Sequence, residues 1–178
     1  ETKNIIVDAK SGVTGAGRGL KLQNSFCECT ENMKAYKVAT HRHTSEIEQE
    51  LSNVAGEEIM ISFTPHLIPQ KRGILSTIYV NLNRKSSAEE LTEMYKEFYK
   101  DEFFVRVKEV GDLPETKHVA GSNFVDIGVC YDERLQRAVV VSSLDNIVKG
   151  AAGQAVQNMN LLFGLDEKTA LTNPGFYL

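Results

Sequence analysis

Strand patterns that follow one another without an intervening helix constrain the fold of this chain more than any other feature. Apolar and polar residues alternate over residues 59–64 and again over 74–82. A second pair alternates at 125–129 and 138–141, on either side of a turn near Asp132. Such alternation is typical of strands with one buried face, and strands joined by short connections pair in antiparallel fashion. With helical patterns between these pairs, the sequence predicts an α+β fold with a mixed, largely antiparallel sheet covered by helices.

Three helices are predicted around the sheet. The first begins near Ser45, with Glu48 at the spacing of a capping box, and ends at Gly56. The second begins at Ser86 or Ser87, and the third covers 146–163. Helical spacing predicts that the following apolar side chains are buried: Ile47, Leu51 and Val54 in the first helix, and Leu91, Met94, Tyr95 and Phe98 in the second.

Composition and charge exclude several functional classes. The chain has 178 residues, a net charge of -4 and a pI of about 5.6, so no overall basic field exists to hold nucleic acid. No apolar run approaches the roughly 18 residues of a membrane span. Three cysteines without regular spacing favour a reducing compartment, and we therefore predict a cytoplasmic protein. Because Glu1 is followed almost at once by an apolar stretch, we also expect a piece of a longer polypeptide.

A glycine-rich segment, 11–19, follows a predicted strand at 4–8 and contains four glycines. It approaches the pattern of a phosphate-binding P-loop, but Arg18 stands where that loop has lysine and Gly19 where it has serine or threonine. The glycine spacing also differs from that of a dinucleotide fingerprint. Exposed backbone N–H groups beside a guanidinium can hold an anion. From the residues alone, an anion site and a plain loop are equally plausible.

Two histidines, His41 and His43, stand immediately before the first predicted helix. A helix N-terminus offers positive potential, and a histidine there can serve as a general acid or base. Glu46 lies close enough in sequence to orient its imidazole. The pair could also bind a metal, but no third ligand is indicated, and we predict no metal site. An exposed polar helix entry is the more frequent meaning of such a pattern.

His66 and Arg72 flank a connection between strands that is rich in proline and glycine. Either side chain could face a ligand, but prolines and a glycine are ordinary at such a connection, and the context does not require a site. Composition and spacing alone therefore indicate a soluble α+β domain, in which the region of Arg18 and His41 is a candidate anion site and no more. They do not reveal a reaction.

Five collinear motifs resemble N-acetyl-gamma-glutamyl-phosphate reductases and span most of the chain. They are Ser-Gly-Val-Thr-Gly-Ala-Gly-Arg at 11–18, His-Arg-His-Thr-Ser-Glu-Ile at 41–47, Phe-Thr-Pro-His-Leu-Ile-Pro at 63–69 with Arg-Gly-Ile at 72–74, Gly-Ser-Asn at 121–123, and Asp-Asn-Ile-Val-Lys-Gly-Ala-Ala-Gly-Gln-Ala-Val-Gln-Asn at 145–158. The resemblance implies the catalytic domain of the glyceraldehyde-3-phosphate dehydrogenase-like superfamily. It also implies NADPH-dependent reduction of an acyl phosphate in arginine biosynthesis, through a cysteine thioester, by a homodimer or homotetramer.

The resemblance also implies roles for particular residues. His41 resembles the catalytic acid/base, with Glu46 as its orienting carboxylate, although His43 is not excluded from that role. Arg18 and His43 are expected at the substrate. The residues expected near NADP are Gly12, Gly15, Ala16, Asn146 and Lys149.

Departures from the family pattern set limits on this expectation. The dinucleotide fingerprint and the nucleophilic cysteine motif are absent from the chain, and Ser45 replaces a usual proline. We therefore expect residues 1–145 to form a catalytic and dimerisation domain. Residues 146–178 would pack on a missing nucleotide-binding domain, and the chain alone would be inactive and bind NADP weakly. The alternatives are a semialdehyde dehydrogenase acting on another acyl phosphate, and a non-catalytic dimerising or anion-binding module.

Overall fold

The computed structural model describes residues 1–176, in which seven strands form one sheet. The strands are β1 (Ile5–Ser11), β2 (Lys34–Ala35), β3 (Ile61–Leu67), β4 (Ile74–Asn81), β5 (Val105–Val107), β6 (Val125–Asp132) and β7 (Arg137–Leu144). Their order across the sheet is β2-β3-β1-β4-β7-β6-β5. The helices are α1 (Phe26–Cys29), α2 (His43–Ala55), α3 (Ala88–Phe98) and α4 (Gly153–Leu162). The predicted α+β class and mixed sheet are confirmed.

Strand pairing differs from the prediction at two places. Strands β3 and β4 run in opposite directions but are not neighbours, because β1 lies between them, parallel to β3 and antiparallel to β4. Strands β5 and β6 are parallel, because the long connection between them crosses back to the same end of the sheet. The hairpin of β6 and β7 and the pairing of β4 with β7 are antiparallel, so the sheet is largely antiparallel as expected.

The main core lies between α3 and one face of β6 and β7. Its buried members are Leu91, Ile127, Val129, Ala138 and Val140. Tyr95 packs against this core as predicted, but Phe98 is 71% exposed and Met94 is also exposed, so half of the predicted inner face of α3 is wrong.

The two predicted capping boxes have different outcomes. Ser87 caps α3, because its hydroxyl accepts a hydrogen bond from the Glu90 N–H at 3.1 Å. Ser45 does not cap α2, which begins two residues earlier. Glu48 instead accepts a hydrogen bond from the backbone N–H of Ile61 at 3.0 Å and so ties α2 to β3.

The predicted end of α2 at Gly56 is confirmed, whereas the predicted burial of Val54 is wrong because its side chain is 82% exposed. The last predicted helix is shorter than expected. A wide turn at Val148–Ala152 precedes α4, and Gly164 follows the helix. The proposed division at residue 145 stays a prediction.

Candidate active site

The glycine-rich segment after β1 lies along the connection between β3 and β4. Backbone N–H groups of Gly12, Val13 and Thr14 donate to the carbonyl oxygens of Gly73, Gln70 and Lys71 at 2.9, 2.8 and 3.2 Å. A Cβ on Gly12 would lie 2.8 Å from the Lys71 carbonyl oxygen, so only glycine allows this approach. From Gly15 onward the segment is exposed.

The side chain of Asn146, which is distant in sequence, joins the glycine-rich segment to the connection between β3 and β4. Its Oδ1 accepts a hydrogen bond from the Gly73 N–H at 2.8 Å, and its Nδ2 donates to Thr14 Oγ1 at 3.0 Å and to the Gly12 carbonyl at 3.5 Å. The side chain is buried. The amide predicted to face the cofactor is thus engaged with its own chain on both sides.

Asp145, next to Asn146, has a fully buried carboxylate with four hydrogen bonds. Oδ1 accepts from the backbone N–H groups of Ile147 and Val148 at 2.8 and 3.0 Å. Oδ2 accepts from the Gly121 N–H at 2.7 Å and from Arg72 Nη1 at 3.2 Å. Burial alone would raise the pKa of this carboxyl, but these four donors outweigh burial and hold its pKa below the ordinary value.

His41 is half-buried at the entry to α2 and is held by rings on three sides. Tyr36, His43 and Phe63 pack edge-on, with ring centroids 5.6, 4.9 and 5.3 Å from that of His41. Its Nδ1 accepts a hydrogen bond from the His43 backbone N–H at 3.2 Å. In the neutral imidazole the proton therefore lies on Nε2.

The electrostatic surroundings of His41 favour this neutral form. Burial lowers the pKa of its imidazole, and the positive charges of His43, Lys37 and Arg42 lower it further. A neutral imidazole with its proton on Nε2 can donate a hydrogen bond to an oxygen, as an acid catalyst does.

The other predicted residues of the histidine cluster are not joined to His41 in the same way. Glu46 is exposed, and within residues 1–176 it makes no hydrogen bond or ion pair with His41. The contact that orients the imidazole on Nδ1 comes instead from the backbone N–H of His43. The orienting role of Glu46 stays a prediction.

Lys149, also predicted near the cofactor, lies in a separate polar group. Its ammonium donates to Gln157 Oε1 at 2.7 Å and lies 5.4 Å from the centroid of the Phe104 ring. Burial lowers the pKa of Lys149, although Glu167 and Glu102 act in the opposite direction.

An open groove of about 1120 Å³ runs beside the glycine-rich segment. Arg18 and Gly17 form part of one wall, and Lys71 and Gln70 of the β3–β4 connection also line the groove. Arg18 is exposed, and no hydrogen bond or ion pair within residues 1–176 engages its guanidinium. The groove therefore presents available cationic groups.

Sequence reasoning left Arg72 and Asp145 out of the predicted site. Both belong to motifs that carry the family resemblance, and Gly121 belongs to a third. The missed signal was that three motifs meet: Arg72-Gly73 and Gly121-Ser122-Asn123 both contact the carboxylate of the Asp145-Asn146 motif.

The sequence match assigns the chain to a class, the semialdehyde dehydrogenases, through their dimerisation domain. A family model described as the semialdehyde dehydrogenase dimerisation domain matches residues 1–146, and the chain belongs to that family. Within the described residues, no helix is both long and apolar enough to cross a membrane.

Among its relatives, the chain is 66% identical to the N-acetyl-gamma-glutamyl-phosphate reductase of Acetivibrio thermocellus, over 100% of this chain and 51% of that protein. It is 58% identical to the protein of that name from Desulforamulus reducens, over 99% of this chain and 51% of that protein. The chain thus spans about half the length of the curated relatives it matches, and the resemblance found in its motifs is confirmed.

Solved structures of lower identity share the fold. Aspartate semialdehyde dehydrogenase II from Vibrio cholerae has a TM-score of 0.70 at 19% identity, covering 91% of this chain and 55% of that chain. A probable aspartate-semialdehyde dehydrogenase from Pseudomonas aeruginosa has a TM-score of 0.69 at 17% identity, covering 90% and 55%.

Proposed function

We propose that this chain is the catalytic and dimerisation part of an NADPH-dependent reductase that converts N-acetyl-gamma-glutamyl phosphate to N-acetylglutamate semialdehyde and phosphate. The high identity to reductases of that name over the whole chain supports the substrate. The single structural observation that carries the proposal is the half-buried imidazole of His41, fixed by backbone and aromatic contacts.

His41 would act on the oxygen of the reacting acyl group. Its Nδ1 is occupied by the His43 N–H, so Nε2 is the atom that faces chemistry, and it carries the proton. A donor on Nε2 stabilises, by hydrogen bonding, the negative charge that develops on a carbonyl oxygen. Removing a proton from a thiol at Nε2 would first require the other tautomer, and hence loss of the hydrogen bond from His43.

Only some of the residues predicted to bind NADP are available for contact with a ligand. The exposed backbone at Gly15 and Ala16 is free to approach a ligand, whereas Gly12 packs on Lys71 and Asn146 is engaged within the chain. We infer that Gly15 and Ala16 contact the cofactor and that Asn146 holds the segment which presents them. When bound, the cofactor supplies the hydride. A cofactor-binding role of Lys149 has less support, since its ammonium donates a hydrogen bond to Gln157.

Arg18 is proposed to attract the phosphate of the substrate or cofactor, and His43 is proposed to bind the substrate. Both side chains are exposed, and the groove at Arg18 also contains Lys71. A guanidinium with available donors binds phosphate oxygens well.

A second copy of the chain is the proposed partner for the sheet face opposite α3. On β7 the residues facing α3, Ala138 and Val140, are buried, while the alternating Val139 and Val141 are only half-buried. A self-associating sheet agrees with the family description as a dimerisation domain. Sedimentation equilibrium distinguishes dimers from tetramers.

The function is tested in a chimera in which this chain replaces the matching half of the Acetivibrio thermocellus relative. The assay is phosphate-dependent reduction of NADP⁺ with N-acetylglutamate semialdehyde. We expect turnover by the chimera and its loss in His41→Ala, whereas the control Gln49→Ala, at an exposed position of α2, should keep full turnover. A folded chimera that is silent here but active on another semialdehyde would contradict the substrate, and one silent on all of them would favour a non-catalytic module.

A further inference from the structure

The guanidinium of Arg72 is fixed on one edge by the carboxylate of Asp145, whose other acceptor positions are already occupied. An ionised carboxylate offers about four acceptor positions. Three of those on Asp145 are taken by the backbone N–H groups of Gly121, Ile147 and Val148, and the fourth by Arg72 Nη1. Because the carboxylate is fully buried, this contact sets the position of the guanidinium.

The rest of the Arg72 guanidinium is available. An arginine has five N–H donors. Within residues 1–176, the contact to Asp145 is the one hydrogen bond that Arg72 makes, and its side chain remains 41% exposed. An arginine held on one edge and open on the other is preorganised to bind a planar or tetrahedral oxyanion with little loss of side-chain entropy.

Arg106 is a natural comparison within the same chain. It also pairs with a buried carboxylate, Asp126, at 2.6 Å, and its side chain is 44% exposed. However, its Nη2 donates to the His118 carbonyl oxygen at 3.4 Å, and its guanidinium stacks on Phe124 at 4.6 Å. Arg106 is therefore an arginine engaged on its second edge and on its face, whereas Arg72 is not.

The surroundings of Arg72 belong to the candidate active site. The backbone carbonyl oxygen of Lys71 accepts hydrogen bonds from the N–H and the hydroxyl of Thr14. The Gly73 N–H donates to Asn146 Oδ1. The guanidinium thus projects from the connection that carries the glycine-rich segment. Its neighbours in sequence, Gln70 and Lys71, line the groove that contains Arg18.

We propose that Arg72 is a substrate-binding residue whose available N–H donors bind an oxyanion of the acyl-phosphate substrate, either its carboxylate or its phosphate. The inference rests on the proposed function for the identity of that substrate. Asp145 is then a positioning residue that acts through Arg72.

Kinetics of the chimera in the reverse direction separate the possible anions, because semialdehyde, inorganic phosphate and NADP⁺ are varied independently. Arg72→Gln is expected to raise the KM for semialdehyde or for phosphate by about 10- to 100-fold, the usual effect of losing charged hydrogen bonds. Arg72→Lys should recover part of the loss, and Arg106→Gln should leave all three KM values within about twofold. The substrate whose KM rises identifies the oxyanion.

An unchanged KM for both semialdehyde and phosphate in a folded Arg72→Gln chimera would overturn the proposal, as would an effect confined to NADP⁺. Should the unmodified chimera fail to turn over, the proposed function fails, and NMR decides the inference separately. Inorganic phosphate and acetate are titrated into the ¹⁵N-labelled chain while the Arg72 Nε–H signal is followed. Saturable movement at Arg72 but not at Arg106 supports the site, and an unmoved Arg72 signal rejects it.

Discussion

Replacing Asp145 with asparagine tests the buried carboxylate that joins three motifs. Asparagine keeps the shape but turns one acceptor oxygen into an NH₂ group. Whichever oxygen is lost, two donors lose their partner: the N–H groups of Ile147 and Val148, or those of Gly121 and Arg72. Each buried donor left unsatisfied costs about 1–3 kcal/mol, so Asp145→Asn should lower the free energy of unfolding by about 3 kcal/mol.

Urea unfolding of the chain followed by circular dichroism measures this difference. Asp132→Asn is the control, because Asp132 pairs with the highly exposed Arg134, and a surface ion pair contributes little to stability. The pKa of Asp145 is held below its ordinary value, so its stabilising contribution is complete above the ordinary carboxyl range and is lost as the pH falls through the folded pKa. Equal losses in the two variants at neutral pH would refute the role of the buried carboxylate.

Three further predictions follow from the geometry. Gly73→Ala should destabilise the chain by more than about 1 kcal/mol, because φ is +107° and the new Cβ would lie 2.8 Å from Thr116 Cβ; an unchanged urea midpoint would contradict this. Leu91→Ala should cost about 2–5 kcal/mol, whereas Met94→Ala, on the same helix but exposed, should stay within about 0.5 kcal/mol; similar losses would disprove the assigned core. ¹H–¹⁵N NMR should give His41 a titration midpoint below its ordinary value and the tautomer protonated on Nε2, and a proton on Nδ1 would be inconsistent with the contact to His43.

The parts of the fold that depend on local patterns were predictable. Ser87 caps α3 and Gly56 ends α2, because a cap involves residues only a few positions apart. The hairpin of β6 and β7 follows from two alternating segments and a short turn. The insertion of β1 between β3 and β4 was not predictable in this way, since nothing local to β1 states which strands it pairs with.

In the candidate site, too, local motifs could be recognised, whereas contacts that depend on the tertiary structure could not. The motif at His41 could be recognised, but the contact of its Nδ1 with the His43 backbone depends on how the chain enters α2. Asn146 looked like a cofactor ligand because of its motif, whereas its amide is engaged by Gly73 and Thr14, which are distant in sequence. Glu48 was assigned to a cap and instead holds β3. Polar side chains with several available partners are the ones whose role only the tertiary structure decides.

The central claim is that this chain supplies, in His41, the imidazole that assists the reaction of an acyl-phosphate reductase. Its most direct test is the rate of phosphate-dependent NADP⁺ reduction by the chimera, compared with that of its His41→Ala variant. The account predicts turnover with N-acetylglutamate semialdehyde and a decrease of about 10²- to 10⁴-fold in kcat for the variant, the usual contribution of a positioned acid or base. An active chimera whose kcat is unaffected by His41→Ala would contradict it.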